Sequence, residues 1–411
     1  MRVLVLTPVY PSPGSVSEGV FNEQHALALV AAGVSVTVIV CKPWLPGFIA
    51  RHWPRYHSIA SLPKREQRGE ITILYARYLH IPGYRWPGVT VRSCSNAVLR
   101  ATQHLSARRW DIIQCHSEWP VGLAIPWIKA TLKIPAVITM HIQLDPPLFR
   151  QRAGAQLLQR MVAESDALVS VGTPLVRDAK QNWLPDRADD SIRLIPNGVP
   201  LPDTQVQIHE PSGGERLNLI SISNLVPIKG IDYTLRALAA LKDEGLLHWQ
   251  YTVVGDGPAR KDLETLVANL GIAAQVRFAG RLPHAEAMRV LAQSDLFILP
   301  SWQEAFGVVY LEAMARGIPA IGCKGQGAED IIRSGVDGLL VEPQSVQSVV
   351  DALRSVLNHP GKLAAWGTQA RQRATEFSWD RNVRAYLSLY QELMAAHAKQ
   401  HDNLALSAKL S

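Results

Sequence analysis

The sequence predicts an α/β protein with two domains, each built on a parallel β-sheet. Short apolar runs typical of buried strands alternate with amphipathic helical segments along the whole chain. The 411 residues exceed what one hydrophobic core usually supports. Residues 200–216 are rich in proline, glycine, serine and charge, which predicts an interdomain linker between two βα series.

The first series opens with a strand over Arg2–Thr7, a loop rich in proline and glycine, and a helix over residues 20–32 that ends before Gly33. A strand over residues 34–40 completes a Rossmann-like βαβ unit. A helix is expected over residues 89–106. Five more strands are predicted in this half, over residues 71–75, 112–115, 136–140, 167–171 and 192–195.

The second series starts at Leu217. Residues 295–299 form a short apolar run that predicts a buried parallel strand. A helix should begin near Gly307 and end at Gly317, because glycine suits the position after a helix and Pro319 forbids continuation. A last helix is expected over residues 383–394, with fraying from His401 onward.

Two glutamates border the predicted helix after this strand. Glu304 falls in the loop and Glu312 on the helix. The amides of Phe306, Gly307 and Val308 would emerge at the carboxyl end of the sheet, where an anion such as a diphosphate can dock. Carboxylates accept hydrogen bonds from vicinal hydroxyls, so sugar hydroxyls are expected near Glu304 and ribose hydroxyls near Glu312. The simpler alternative is a capped helix with two solvated acids.

Five segments in the second half together resemble family 4 of the retaining glycosyltransferases, also called glycosyl transferases group 1. These segments are residues 223–232, 254–258, 276–282, 300–322 and 325–341. The resemblance implies the GT-B fold, in which two Rossmann-like domains face each other and a C-terminal helix crosses back to the first. It divides the chain into an acceptor domain, residues 1–200 with about 383–411, and a nucleotide-sugar donor domain, residues 201–382.

The resemblance also implies an activity, which is transfer of a hexosyl-type sugar from a nucleotide-diphosphate sugar to a glycan or lipid-linked acceptor. The anomeric configuration would be retained, and bacterial surface polysaccharide synthesis is the expected setting. Glu304 and Glu312 would both hold the donor, unlike the closely spaced carboxylate pair of retaining hydrolases. The departing phosphate would help deprotonate the incoming hydroxyl, and domain closure would exclude water.

On the donor side, the resemblance gives Lys229 a catalytic role beside Glu304, in neutralising the leaving diphosphate. The family usually has an arginine five residues before this lysine, whereas this sequence has Asn224. The asparagine can donate a hydrogen bond but carries no charge. Arg281, which is followed by Leu282 in the donor-binding segment, or an arginine of the first domain would have to supply the second cation.

In the first domain, the resemblance assigns His141 a contact with the transferred sugar. His141 follows the strand over residues 136–140, and ligands of open parallel sheets bind beyond the carboxyl ends of strands. The loop after the preceding strand supplies weaker acceptor-side candidates. These are His116, Glu118 and Trp119. Gly19 loosely matches the family's glycine loop near the nucleotide phosphates.

The sequence indicates neither a metal site nor a cofactor. It lacks a DxD motif with apolar flanks, and the acidic residues 186–190 follow no strand. The four cysteines have no metal-ligand spacing and are expected to be reduced thiols. The N-terminus is broken by Pro8 and Pro11 too early for a signal peptide, so a cytoplasmic protein is expected.

The positive charge is concentrated in the first half. Residues 1–200 carry 22 Lys and Arg against 13 Asp and Glu, whereas residues 201–411 carry 20 against 22. Basic and large aromatic residues mix between Lys42 and Arg109, which suits contact with the inner face of an anionic membrane. A solvated basic surface explains the pattern equally well. Nucleic-acid binding ranks below both, because no recognised module accompanies the charge.

Two other functions remain open at the level of sequence. A sugar-nucleotide 2-epimerase of the same architecture would use a similar nucleotide site but need no acceptor. A catalytically weak partner subunit would keep the fold and lose donor affinity. Asn224 favours this second alternative, while the presence of Lys229, Glu304, Glu312 and His141 opposes it.

Overall fold

The computed structural model describes residues 1–12, 18–45, 59, 61–81, 84–103, 105, 109–141, 146–184, 192–202 and 216–410, the last ten and Pro146 without side chains. The acidic residues 186–190 and most of the predicted linker therefore lie outside the described residues. The chain divides into two compact units. The first contains Met1–Val171, Leu175–Pro196 and Trp379–Ser411, and the second contains Gly172–Pro174 and Asn197–Ser378.

The first unit contains an eight-stranded sheet in the order β3-β4-β2-β1-β5-β6-β7-β8. All described pairings are parallel except β3 with β4. The strands are β1 Arg2–Thr7, β2 Ser35–Trp44, β3 Arg65–Arg68, β4 Ile71–Leu79, β5 Ile112–His116, β6 Ala136–Met140, β7 Ala167–Ser170 and β8 Ile192–Leu194. β5 and β6 are buried along their whole length, which explains why their sequences are continuously apolar or neutral.

Helices pack on the sheet of the first unit and complete its core. They are α1 Val20–Ala31, α2 Pro87–Gln103, α3 Leu123–Leu132, α4 Pro146–Phe149, α5 Arg152–Glu164 and α6 Thr173–Asn182. A π-helical turn, Glu118–Gly122, joins β5 to α3. α1 buries Ala26 and Leu29 in the same cluster as Val3, Val5 and Val38 of the central strands.

The C-terminal helix, α14 Trp379–Leu410, belongs to the first unit, as the sequence predicted. It is anchored by a buried polar network rather than by apolar contacts alone. The Tyr386 hydroxyl lies 2.8 Å from Thr139 Oγ1 of β6, and the Tyr390 hydroxyl donates to Gln114 Oε1 of β5 at 2.8 Å. Gln114 Nε2 donates to Thr139 Oγ1, so the buried polar groups satisfy one another.

The second unit contains a six-stranded sheet in the order β11-β10-β9-β12-β13-β14, with parallel pairing throughout the described strands. Its strands are β9 Leu217–Ile222, β10 Trp249–Val254, β11 Val276–Gly280, β12 Leu296–Ile298, β13 Ala320–Cys323 and β14 Gly338–Val341. Its helices are α7 Ile231–Asp243, α8 Arg260–Asn269, α9 His284–Leu291, α10 Val308–Met314, α11 Gly327–Ile331, α12 Val346–Leu357 and α13 Lys362–Ala374.

The predicted α/β class with two parallel sheets is confirmed. The ends of several elements differ from prediction: the strand expected over residues 71–75 extends to Leu79, the helix expected over 89–106 is Pro87–Gln103, and the helix expected to end at Gly317 ends at Met314. Three further differences have identifiable causes. The edge strand β3 was missed because its sequence, REQR, is polar throughout and pairs on one side only. The last helix begins at Trp379 rather than residue 383, and its backbone stays helical to Leu410 instead of fraying at residue 401. β2 continues four residues beyond Val40, because β4 pairs with it over that length.

Candidate active site

The strand order of the second sheet reverses between its two central strands, β9 and β12. From β9 the chain proceeds to β10 and β11 on one side, while β12, β13 and β14 follow one another on the other side. Ligands of open parallel sheets bind at such a switch in strand order. The loop after β9 contains Lys229, and the loop after β12 contains Glu304.

Lys229 and Glu304 form an ion pair at this switch point. Lys229 Nζ lies 2.7 Å from Glu304 Oε2, and the two side chains are 19% and 13% exposed. A 3-10 turn, Pro227–Lys229, orients the lysine, and Gly230 follows with a φ of 70° at the start of α7. The sequence placed Glu304 in the loop after a strand, and the strand order brings it into contact with Lys229.

The Glu304 loop is held by the loop after β13. The Glu304 amide donates to Gln326 Oε1 at 3.1 Å, and the Gly327 amide donates to the Glu304 carbonyl at 2.9 Å. A side chain at residue 327 would meet the Phe306 backbone, because a Cβ there would lie 2.3 Å from the Phe306 Cα. The sequence singled out the glycine loop but missed the role of the Gln326 side chain.

Phe306, Gly307 and Val308 bring backbone amides to the same edge. Phe306 is 2% exposed and contacts Phe377 with ring centroids 6.0 Å apart, so the loop is anchored in the core. Gly307 precedes α10 with a φ of 88°, a conformation that side chains disfavour. In the described part of the chain, these three amides donate to no protein acceptor. They are available to an anionic ligand.

Glu312 lies on α10 and pairs with a histidine that the sequence did not indicate. Glu312 Oε1 lies 2.7 Å from His284 Nε2, and the two side chains are 15% and 50% exposed. The hydrogen bond to Glu312 raises the pKa of His284 above its usual value, which favours a charged imidazolium. Arg316 donates to the Glu312 carbonyl at 2.8 Å. His284 therefore orients the Glu312 carboxylate, while the Arg316 contact involves the backbone oxygen.

The remaining donor-side candidates stand at the ends of neighbouring strands. Asn224 follows β9, is exposed, and its carbonyl accepts from the Val226 amide at 3.0 Å. Arg281 follows β11, is exposed, and makes no ion pair within the described residues. Leu282 is half-buried next to it. Their assignment to donor binding stays a proposal.

The first unit places three histidines at the corresponding switch in its own sheet, where β1 and β5 are neighbours. His116 ends β5, His141 follows β6, and His25 lies on α1. His25 Nδ1 is 3.1 Å from His116 Nε2, and His116 Nδ1 is 2.8 Å from His141 Nε2. His141 also contacts the ring of Phe21, with centroids 4.7 Å apart.

Burial disfavours the charged form of all three rings. It lowers the pKa of His25 and of His141 to about 3, and it holds the pKa of His116 well below its usual value, with the neighbouring histidines adding to the effect. The sequence identified His141 and His116 but missed His25. A histidine among alanine and leucine on a helix is typical of a core residue, and nothing local marks its partner.

The other first-unit candidates lie close to the histidines in sequence. Glu118 is 1% exposed, its carboxylate oxygens have no hydrogen-bond partner, and burial raises its pKa to about 8. Trp119 is half-buried and meets Tyr84 edge to face, with centroids 5.3 Å apart. Gly19 is the residue before α1. Glu118 is therefore an interior group rather than an exposed one.

No set of three or more His, Cys, Asp or Glu side chains within the described residues is arranged to hold a metal ion. The histidines form a line in which both nitrogens of His116 bond to other rings, so they do not converge on one point. All four cysteines are buried and free.

Two family models match the chain, and together they span most of it. The model described as Glycosyltransferase Family 4 matches residues 19–202, and the model described as Glycosyl transferases group 1 matches residues 205–373. The chain belongs to glycosyltransferase family 4. As a family member it is a glycosyltransferase that uses a nucleotide-sugar donor.

Individual relatives agree with this assignment. The chain is 28% identical to a D-inositol 3-phosphate glycosyltransferase of Saccharomonospora viridis, over 96% of this chain and 95% of the relative. It is 27% identical to a Bacillus subtilis protein assigned to teichuronic acid biosynthesis as the glycosyltransferase TuaC, over 86% and 88%. The structure of Anabaena HepE in complex with UDP matches with a TM-score of 0.70 and 18% identity, covering 96% of this chain and 100% of that one. This likeness shows the GT-B fold.

Proposed function

We propose that the protein transfers a hexosyl group from a nucleotide-diphosphate sugar to a glycan or lipid-linked acceptor, with retention of configuration and without a metal ion. The observation that carries the proposal is the Lys229–Glu304 ion pair at the switch point of the second sheet. A cation beside free backbone amides suits a diphosphate, and a carboxylate suits sugar hydroxyls.

The roles divide between charge and hydrogen bonding. Lys229 neutralises charge that develops on the leaving diphosphate, assisted by the amides of Phe306, Gly307 and Val308. α10 has only seven residues, so these directed amides matter more than a helix dipole. Glu304 accepts from hydroxyls of the sugar and Glu312 from those of the ribose. His141 contacts the transferred sugar, as the family resemblance implies.

Relatives support a particular class of donor and acceptor. The solved HepE structure holds UDP, and the Bacillus subtilis relative is assigned to teichuronic acid synthesis. We therefore propose UDP-hexose as the first donor to test and a bacterial surface polysaccharide or lipid-linked intermediate as the acceptor. Asn224 lacks the charge of an arginine, and Arg281 is the proposed second cation.

The decisive experiment is calorimetric titration with UDP, GDP and ADP, with and without magnesium, on the wild type and on Lys229→Ala. We expect one nucleotide to bind equally well without magnesium, and the variant to bind it at least 30-fold more weakly, about 2 kcal/mol. Lys362→Ala removes an exposed lysine at the start of α13 and serves as the matched control, with unchanged binding.

Other outcomes identify the alternatives. Binding followed by release of an altered nucleotide sugar, without any acceptor, would assign the chain to the epimerases. Failure to bind any of the three nucleotides would indicate a partner subunit. Binding that requires magnesium would overturn metal independence while leaving the transferase assignment in place.

We also propose peripheral contact with an anionic membrane through the first unit. Trp44 and Trp86 are 46% and 63% exposed. Two basic residues of the segment do not contribute, since Lys42 pairs with Glu18 and Arg68 with Glu23. Among the described helices, none is long and apolar enough to cross a membrane. Trp86→Ala should reduce co-sedimentation with phosphatidylglycerol vesicles, and equal sedimentation with phosphatidylcholine vesicles would contradict the proposal.

A further inference from the structure

The three histidines of the first unit are joined in a line by hydrogen bonds between their rings. Two ring-to-ring hydrogen bonds join His25 to His116 and His116 to His141. His25 and His116 are 2% and 3% exposed. The two outer nitrogens, His25 Nε2 and His141 Nδ1, are buried and have no hydrogen-bond partner. We call this set of three rings the histidine line.

Counting protons shows that the two ends of the histidine line are coupled. Three neutral imidazoles carry three N–H protons on six nitrogens. Each of the two ring-to-ring bonds needs one proton, so one proton is left for the two ends. If His141 Nδ1 carries it, His25 Nε2 is a bare acceptor, and the reverse also holds. The hydrogen-bonding character of His141 is therefore fixed by the whole line.

The two arrangements are chemically unequal. In one, all three rings carry the proton on Nε2, and His141 Nδ1 is a bare acceptor. In the other, all three carry it on Nδ1, and His141 Nδ1 is a donor. Neutral histidine in water prefers the Nε2–H form. Because all three rings adopt the same tautomer in each arrangement, their preferences add and favour the arrangement with Nε2–H throughout. Burial depresses the pKa values of the three rings, which favours an uncharged line at neutral pH.

Aromatic rings pack against His25, which is one end of the histidine line. His25 packs on Tyr386 and Trp379 of α14, with centroids 4.7 Å and 6.1 Å away. No carboxylate within the described residues hydrogen-bonds to any of the three rings. This differs from the common arrangement in which an acid fixes a histidine tautomer. In this protein, two further histidines occupy that position.

We propose that His116 and His25 are positioning residues that hold His141 in its Nε2–H tautomer, so that His141 Nδ1 accepts a hydrogen bond from a hydroxyl of the transferred sugar. The inference rests on the proposed function for the identity of the ligand, whereas the tautomer itself is a property of the free protein. It deepens the role of His141 by making its acceptor strength depend on two residues that do not touch the sugar.

The first test measures the tautomer directly in the full-length protein. Ring nitrogen NMR on protein labelled with ¹⁵N-histidine distinguishes a bare nitrogen from an N–H. The resonances of His141 are assigned by their loss in His141→Gln. We expect His141 to show a bare Nδ1 and a protonated Nε2. A protonated Nδ1, or a mixture in the wild type, would overturn the proposal.

Two variants of His25 test the coupling. His25→Phe keeps an aromatic ring against Tyr386 but removes the acceptor for His116 Nε2–H, so His141 should become a mixture of tautomers. His25→Asn offers an amide oxygen near the position of Nδ1 and should restore the wild-type signal, even if the phenylalanine variant is poorly folded. An unchanged His141 spectrum in a folded His25→Phe would show that the line does not act as a unit.

The second test separates this inference from the proposed function. UDP and UDP-glucose are titrated against the wild type, His25→Phe and His25→Asn. We expect equal UDP affinity in all three, with the advantage of UDP-glucose over UDP falling about fivefold in His25→Phe only. If no protein binds either nucleotide, the proposed donor fails while the NMR result stands. If UDP-glucose keeps its full advantage in His25→Phe, the positioning role is wrong.

Discussion

The two units place different chemistry at the same position in their sheets. In the second unit, the switch between β9 and β12 holds an ion pair, Lys229 with Glu304, whose side chains are 19% and 13% exposed. In the first unit, the switch between β1 and β5 holds neutral imidazoles, with His25 and His116 almost fully buried. One edge therefore presents charge near water, and the other presents neutral hydrogen-bonding groups in the interior.

The difference follows from the cost of burying charge. An ion loses several kcal/mol when it is removed from water, so a charged pair is best placed where some solvent remains. A neutral imidazole can be buried fully when its nitrogens are hydrogen-bonded. A diphosphate suits the charged edge because it requires a cation, whereas a hydroxyl group can hydrogen-bond to either a carboxylate or a neutral imidazole. In the same unit, burial raises the pKa of Glu118, which favours its neutral form.

The largest expected effect tests the neutral interior at Glu118. Burial raises its pKa to about 8, above the unfolded value near 4.5, so the wild type loses stability as pH rises through this window. Glu118→Gln keeps the shape and cannot ionise. At pH 9 the variant should be more stable by on the order of 4 kcal/mol, and at pH 5 the difference should shrink to about 1 kcal/mol or less, as measured by chemical denaturation.

Glu342→Gln serves as the control for this prediction, because Glu342 is 57% exposed and its ion pair among the described residues is with the exposed Lys324. It should show no gain at pH 9. The same stability difference between Glu118→Gln and the wild type at both pH values would mean that Glu118 is charged in the folded protein, and the contrast between the units would be lost.

The next effect concerns the charge in the second unit. Glu304→Gln preserves the size of the side chain but removes the negative charge beside Lys229. We expect kcat to fall about 100-fold, close to 3 kcal/mol, because the carboxylate binds the sugar as it becomes cationic. UDP affinity measured by calorimetry should change less than threefold. Glu244→Gln, in an exposed pair with Arg354, is the control.

A smaller effect is expected at Glu312, which is proposed to hold the ribose. Glu312→Ala should weaken UDP binding about tenfold, which corresponds to 1.4 kcal/mol. The kcat at saturating donor should stay within about threefold of the wild type. If Glu304→Gln and Glu312→Ala retain both donor affinity and turnover, neither glutamate has the role assigned to it.

The smallest effect tests the pH dependence of the His284–Glu312 pair. Glu312 raises the pKa of His284, so the pair stabilises the fold below the unfolded pKa near 6.5, and this contribution is lost as pH rises through the folded pKa. His284 is half exposed, so the contribution should be only about 0.5 kcal/mol. His284→Gln should be less stable than the wild type at pH 5.5 and equal to it at pH 8.5. A difference that grows toward high pH would contradict the pairing.

Much of the fold was predictable because strands buried in parallel sheets leave strong local patterns. β1, β6 and the start of β9 coincide with prediction, and α10 begins where Gly307 indicated. The predicted positions failed where the local pattern was weak. β3 is polar, and the π-helical turn at Glu118 has no apolar period. The candidate residues Lys229, Glu304, Glu312 and His141 were found through motif order, and their assignment to roles remains a proposal.

The sequence by itself determined the two βα series, the family and the placement of Glu304, His116 and His141 at or just after the ends of strands. Only the tertiary structure decided which of those strand ends are neighbours. β12 is 74 residues beyond β9 in the chain yet pairs with it, which brings Glu304 to Lys229. The sequence likewise could not predict the contacts of His25 with His116, Gln326 with Glu304 and His284 with Glu312. Hydrogen-bond partners and burial depend on strand order and packing, and these long-range properties leave no mark on local sequence.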